Sequence, residues 1–288
     1  MKRKTNFGDM PLKNLTLEES GIVILPIPYD GTSTWIKGAD KGPAAIVEAS
    51  DALELYDIET DSEVYKKNIF IAEPVMEKSS PEKMVKKVKT AVANLLDKNK
   101  FVAALGGEHS ISIGAIQAHA EKFPDMSVLQ LDAHSDLRDE YHGSKYNHAC
   151  VMARAREICP IAQVGIRSMD ASDKKYFGEG GIFFAENIYN NSVWQDKAIS
   201  KLTDKVYITI DLDVFDPSVL PSTGTPEPGG LGWYQVLGFL KKVVEEKKVV
   251  GFDVVELCPN KNEKSSDFLA AKLIYKLLSY IYVDSRRH

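Results

Sequence analysis

Residues 127–150 read SVLQLDAHSDLRDEYHGSKYNHAC. Val128-Leu129-Gln130-Leu131 is a nearly continuous apolar run, the pattern of a strand covered on both faces. The run then stops and releases Asp132, His134 and Asp136. If the chain stays extended past Leu131, residues spaced by two project to one side. His142 and His148 follow, so three of the chain's six histidines lie in this stretch.

The same apolar pattern recurs on both sides of it. GIVILPIP (21–28), NIFIAEP (68–74), FVAALGG (101–107), PIAQVGI (160–166), KVYITID (205–211) and VVGFDVVEL (249–257) read as strands. Helical periodicity fills the intervals. Segment 80–98 opens on serine, carries Pro81 in its first turn and spaces its apolar residues as a helix does. Further helices are expected near 43–55, 110–122, 149–158, 232–247 and 266–281. This alternation predicts an α/β fold with a mostly parallel sheet between helical layers. No internal repeat or flexible tether interrupts it, so residues 1–288 are read as one domain. The proline- and glycine-rich DPSVLPSTGTPEPGGLGW (216–233) follows a strand, where open α/β sheets bind ligands, and is expected to pack over a site.

Composition narrows the classes. Of 288 residues, 44% are hydrophobic and 27% charged, the mix of a globular protein able to bury a sizeable core. A net charge of −5 without a basic stripe argues against nucleic acid as a partner. The N-terminal MKRK is locally basic and reads as a solvated tail. Cys150, Cys159 and Cys258 are odd in number and lack CxxC spacing, which argues against a disulfide framework or zinc knuckle and fits a reducing cytoplasm. No signal-peptide pattern opens the chain. FLAAKLIYKLLSYIYV (268–283) carries Lys272 and Lys276 on one helix face, so it is read as a packed amphipathic helix and not a membrane span.

The chemistry gathers at strand ends. Asp132, His134 and Asp136 follow one strand; Asp211, Asp213 and Asp216 end another; Glu108 and His109 follow a third, in GGEHS. A DxD after a strand, taken alone, reads as a helix cap, and a lone histidine before a helix as a structural one. Together they bring four carboxylates and two imidazoles, His109, Asp132, His134, Asp136, Asp211 and Asp213, to one edge of a parallel sheet. Like charges resist ionisation at close quarters, and two divalent cations would balance them. Oxygen-rich ligation with imidazole and no cysteine points to manganese more than zinc. Such a pair can deprotonate a bridging water. GGEHSISIG lacks the GK[ST] of a phosphate loop. Cys150 beside His148 suggests a thiol nucleophile only by adjacency, and cysteine more commonly serves as a small buried residue.

These motifs resemble the ureohydrolases, the arginase and agmatinase family, and agmatinase members most closely. PYDGT (28–32), GGEHS (106–110), DAHSD (132–136), GIRS (165–168), DLDVFDP (211–217), TGTPEPGG (223–230) and GFDVVELCP (251–259) carry the likeness across most of the chain. The resemblance implies a three-layer α/β/α sandwich around an eight-stranded parallel sheet, assembled as trimers or hexamers. It also implies two Mn2+ per subunit. His109, Asp132, Asp136 and Asp211 would bind one ion, and Asp132, His134, Asp211 and Asp213 the other, with Asp132 and Asp211 bridging. Glu256 would grip a substrate guanidinium, His148 would shuttle protons or position substrate, and Asp136 would relay a proton to the departing amine. The implied reaction is hydrolysis of agmatine to putrescine and urea by a metal-bridging hydroxide. Guanidinobutyrate, aminopropylagmatine, arginine and formiminoglutamate remain alternatives.

Two segments depart from the family pattern. STWIKGADKGP (33–43) places Lys37 and Lys41 where many relatives have other residues, and GIRSMDASDKKYF (165–177), with Asp170, differs from arginase. Both bear on the substrate tail. A different dimetal hydrolase, such as a phosphoesterase, would need basic clamps, and no arginine pair flanks the ligand motifs. An inactive metal-binding homologue is argued against by the complete ligand set and Glu256. His142 is assigned to the mobile loop between His134 and His148, with substrate contact as a secondary role.

Overall fold

The computed structural model describes residues 5–9, 15–189, 191 and 193–282, so the basic MKRK lies outside the described residues. Eight strands form one sheet: β1 (Ile22–Ile27), β2 (Ile69–Ile71), β3 (Phe101–Gly106), β4 (Met126–Leu131), β5 (Ile161–Ile166), β6 (Ile182–Phe184), β7 (Lys205–Asp211) and β8 (Lys248–Val255). Their order across the sheet is β2-β1-β3-β8-β7-β4-β5-β6, and every neighbouring pair is parallel. The helices are α1 (Gly42–Ala49), α2 (Pro81–Asp97), α3 (Ile111–Lys122), α4 (Val151–Ala155), α5 (Ala185–Ile188), α6 (Trp194–Ile199), α7 (Trp233–Glu246) and α8 (Ser265–Tyr282).

Strand alternation sends side chains into two cores. Ile208 and Ile210 of β7, with Phe252 and Val254 of β8, pack with residues of α1, α6, α7 and α8. Val102 and Ala104 of β3, Val128 of β4 and Tyr207 of β7 pack with α2, α3 and α4 on the other face. Both faces are therefore covered, which is why the strands read as continuous apolar runs. The result is the three-layer α/β/α sandwich expected.

Some elements escaped the sequence pattern. β6 has only three partly buried residues, too few for a period to emerge. The expected helix at 149–158 is a 3-10 turn, His148–Cys150, followed by the short α4. On α8 the two lysines do not share a solvated face: Lys276 is 6% exposed and bonds Asp57 and Glu59 at 3.0 and 2.6 Å. Among the described residues no helix is long and apolar enough to cross a membrane.

Candidate metal centre and its pocket

Four strands that are neighbours at the middle of the sheet, β3, β8, β7 and β4, aim their carboxyl ends at one place. His109 lies just past β3, Asp132 directly follows β4, Asp211 closes β7, and Glu256 directly follows β8. Asp213 sits in the 3-10 turn Leu212–Val214 that continues β7.

His109 is buried, and its Nδ1 lies 3.1 Å from Asp132 Oδ2, 3.0 Å from Asp136 Oδ2 and 3.4 Å from Asp211 Oδ2. His134 Nδ1 lies 2.9 Å from Asp213 Oδ2 and 3.6 Å from Asp132 Oδ1. Two groups with metal-ligand spacing result, His109–Asp132–Asp211 and Asp132–His134–Asp213, and Asp132 belongs to both. The His109 amide donates to Glu256 Oε1 at 2.7 Å, tying that carboxylate to the first group.

The chain reaches this arrangement by turning, not by staying extended. Asp132 Oδ1 accepts the His134 amide at 2.5 Å, and His134 bridges to Ser168 outside the strand. Asp136 then adopts a left-handed φ of 51°, and its carbonyl accepts from Met152 and Ala153 at 3.0 and 3.1 Å. Asp132, His134 and Asp136 therefore gather at one site as their spacing suggested, but Asp136 does so on left-handed backbone and not as part of an extended strand. Glu256 is also left-handed, φ 67°, held by its amide on the Gly107 carbonyl at 2.8 Å. Such backbone costs about 1–3 kcal/mol per residue and clusters at functional sites.

The donor set fits divalent cations. His109 Nδ1 is buried without a hydrogen-bond partner, although it faces three carboxylate oxygens. Burial, then the nearby Asp132, pushes the Asp136 carboxyl up to about 6. Burial, then Asp213 and Asp132, pushes Asp211 well above the carboxylate range, and burial with Glu108 does the same to Glu256. Burial opposes charge on His109, yet the surrounding carboxylates hold its imidazole well above its usual value. The cluster demands positive charge, which two divalent ions would supply.

A pocket opens over the cluster. His148 lines it, and Thr32 Oγ1 meets both the His148 amide, at 3.1 Å, and its Nδ1, at 3.0 Å. Burial, then the positive potential at His109 and His134, lowers the His148 imidazole to about 4. Trp35, 69% exposed, Ile36 and Tyr141 form apolar walls. Arg138 lies over the Tyr141 ring and pairs with Asp170 at 3.0 Å, while Glu227 Oε1 approaches His134 Nε2 to 3.9 Å.

Other singled-out residues sit elsewhere. His142 stacks on Tyr141 in a turn closed by paired Tyr141–Ser144 backbone bonds, and it is not part of the pocket wall. The Cys150 thiol is buried against the Ser144 carbonyl, and burial pushes it up to about 11, an inert state. Glu108 accepts from Ser110 N and Oγ at 2.9 and 2.7 Å. Asp216 clasps the 216–233 loop, accepting from Ser218, Gly229 and Gly230 amides at 3.0, 2.9 and 3.2 Å. Lys37 pairs with Asp30, and Lys41 is exposed.

Supporting residues were not singled out from the sequence. Gln130 donates to Asp132 Oδ2 at 2.6 Å and is itself held by Gln163. Arg167 fixes the proline-rich loop by donating to the carbonyls of Asp213, Glu227 and Pro228 at 2.6, 2.8 and 3.0 Å. Thr209 bonds His109 Nε2 at 2.8 Å. For Gln130, Gln163 and Thr209 the signal was available as polar residues inside apolar strands, and Arg167 directly follows one.

A parallel sheet whose central strand ends present two His/Asp groups with metal-ligand spacing defines a class of binuclear metal site. Residues 20–279 match the family described as Arginase family. The chain is 39% identical to an N(1)-aminopropylagmatine ureohydrolase of Synechocystis sp. over 273 residues, 91% of this chain and 89% of that one. It is 34% identical to an agmatinase of Pyrococcus horikoshii, covering 94% and 95%. The agmatine ureohydrolase structure of Thermoplasma volcanium superposes with a TM-score of 0.87 at 31% identity, covering 95% and 94%. The chain belongs to the arginase family and is a ureohydrolase, a hydrolase of guanidino C–N bonds.

Proposed function

We propose that this single-domain chain is a dimanganese ureohydrolase that converts agmatine and water to putrescine and urea. The observation that carries it is Asp132 shared between two His/Asp groups, with half-buried Glu256 bonded to the same His109. His109, Asp132, Asp136 and Asp211 would hold one ion, and Asp132, His134, Asp211 and Asp213 the other. Divalent ions held by these residues would neutralise the carboxylates and acidify water at the site. Glu256 presents a carboxylate to the planar guanidinium and fixes its orientation. The water oxygen bonds to the guanidino carbon, the carbon–amine bond then breaks, and Asp136 carries one of the water's two protons to the departing amine. His148, lowered to about 4 and therefore neutral near pH 7, relays the second proton that the amine takes up as it leaves.

Aminopropylagmatine is the second reading. The relatives named for it support it, as do the apolar walls of Trp35, Ile36 and Tyr141, which suit a methylene tail. The three free cysteines fit a reducing cytoplasm. A homo-oligomer, trimer or hexamer, would have a candidate contact face at Ile58 and Tyr234, each 85% exposed.

Purified protein loaded with manganese and offered agmatine, aminopropylagmatine, guanidinobutyrate and arginine separately is expected to release urea fastest from agmatine. Preference for aminopropylagmatine selects the second reading; no urea from any of them overturns the ureohydrolase assignment.

A further inference from the structure

Resting on the metal-centre reading above, we propose that Thr209 and Asp253 are positioning residues: they hold His109 as its Nε2–H tautomer and leave the Nδ1 lone pair for a divalent ion. Tyr207, Thr209 and Asp211 alternate along β7 and therefore share one face, with the candidate ligand Asp211 at the strand's end. Asp253 of β8 is in direct register with Thr209 on the adjacent strand. All of them are buried, so water does not supply alternative partners.

The hydrogen-bond directions follow from counting protons. Asp253 Oδ1 lies 2.6 Å from Thr209 Oγ1, and its Oδ2 accepts from Tyr207 Oη at 2.6 Å. Asp253 accepts from both hydroxyls, one on each oxygen, so Thr209 spends its single proton on Asp253. Ser112 Oγ, at 3.4 Å, is too distant to compete. Thr209 Oγ1 is then an acceptor toward His109 Nε2 at 2.8 Å, and Nε2 carries the ring proton. Nδ1, which faces Asp132, Asp136 and Asp211, is then the nitrogen whose lone pair a cation held by those carboxylates would take. The opposite tautomer would put an N–H where the cation belongs. Partners of this kind orient ligand histidines and raise their basicity. Asp253 has no lysine or arginine ion pair among the described residues, and a carboxylate buried in this way is otherwise a costly means to satisfy two hydroxyls.

The test titrates manganese(II) alone into metal-free full-length protein, in competition with a chelator, for wild type, Thr209→Val and Thr209→Ser. Thr209→Val keeps the shape but removes the acceptor, and manganese affinity is expected to fall about 10–100-fold. Thr209→Ser restores the hydroxyl and is expected to recover most of that loss, which a purely structural role for the methyl group would not produce. Because the valine variant could fail to fold, the wild type loaded with diamagnetic zinc(II) is also measured by NMR with 15N-labelled histidine, where His109 is expected to keep a slowly exchanging proton on Nε2 and none on Nδ1. Wild-type affinity in a folded Thr209→Val, or a His109 proton on Nδ1, overturns the inference and leaves the metal centre standing. No manganese binding by the wild type overturns both.

Discussion

Thr32 holds His148 from two sides, accepting from its amide at 3.1 Å and meeting its ring Nδ1 at 3.0 Å. The loop after β1 thereby fixes the orientation of a ring 116 residues later in the chain, at the mouth of the pocket. His148→Ala is expected to keep its manganese and lose about 10²–10⁴-fold in kcat, the usual weight of a positioned proton carrier. Thr32→Val should lower kcat by a smaller factor in the same direction. Metal analysis beside steady-state kinetics checks this; loss of manganese from either variant would mean that these residues support the ligands instead.

Asp132 offers one oxygen to each histidine, so its loss should be felt at both groups. Asp132→Asn is expected to bind substoichiometric manganese and to show no measurable turnover. Its Gln130 partner, which donates to Oδ2 at 2.6 Å, would then face an amide that is no longer purely an acceptor. Metal content after exhaustive dialysis decides the matter: a fully loaded, active variant removes Asp132 from its bridging place.

Trp35 is a large apolar side chain left mostly in solvent beside the pocket. If it covers a substrate tail, Trp35→Ala should raise KM for aminopropylagmatine more than for agmatine, by about 10-fold, the scale of one cation–π contact with a desolvated ammonium. Equal changes in KM for the two substrates would place the indole outside the tail's reach.

His119 gives a prediction about acid stability. Its Nδ1 bonds the Ala115 carbonyl and its Nε2 has no hydrogen-bond partner among the described residues, fitting against Gly251, where a Cβ would sit 2.2 Å from that nitrogen. Burial lowers its imidazole from 6.5 to about 4. Between those values the unfolded chain binds a proton that the folded one does not, so stability falls as pH drops from 6.5 toward 4, by up to about 3 kcal/mol. His119→Met should fill the space without titrating. Its Tm is expected to fall less between pH 7 and pH 5 than that of the wild type, measured by thermal melts in parallel.

The strands were legible because burial on both faces leaves an unbroken apolar signature. Residues carrying the acids and histidines stood out because each directly ends such a run. The route by which Asp136 and Glu256 reach the cluster was not legible. Left-handed backbone at a non-glycine residue is imposed by tertiary partners, such as the Gly107 carbonyl that receives the Glu256 amide. Thr209 and Asp253 were visible only as polar interruptions; recognising them as partners requires the register of β7 on β8, which no local pattern contains.

The strand order carries a consequence for how the protein is made. β3 and β4 follow one another in the chain, yet β8 and β7 lie between them in the sheet. A ribosome that has released residues up to the end of β6 has delivered two groups of strands with a two-strand gap at their centre. The middle of the sheet is therefore the last part to be synthesised, and the pairings that close it span large sequence separations, the slow kind. Nascent chains halted before β7 would expose both open edges, so chaperone dependence should end abruptly once β8 emerges.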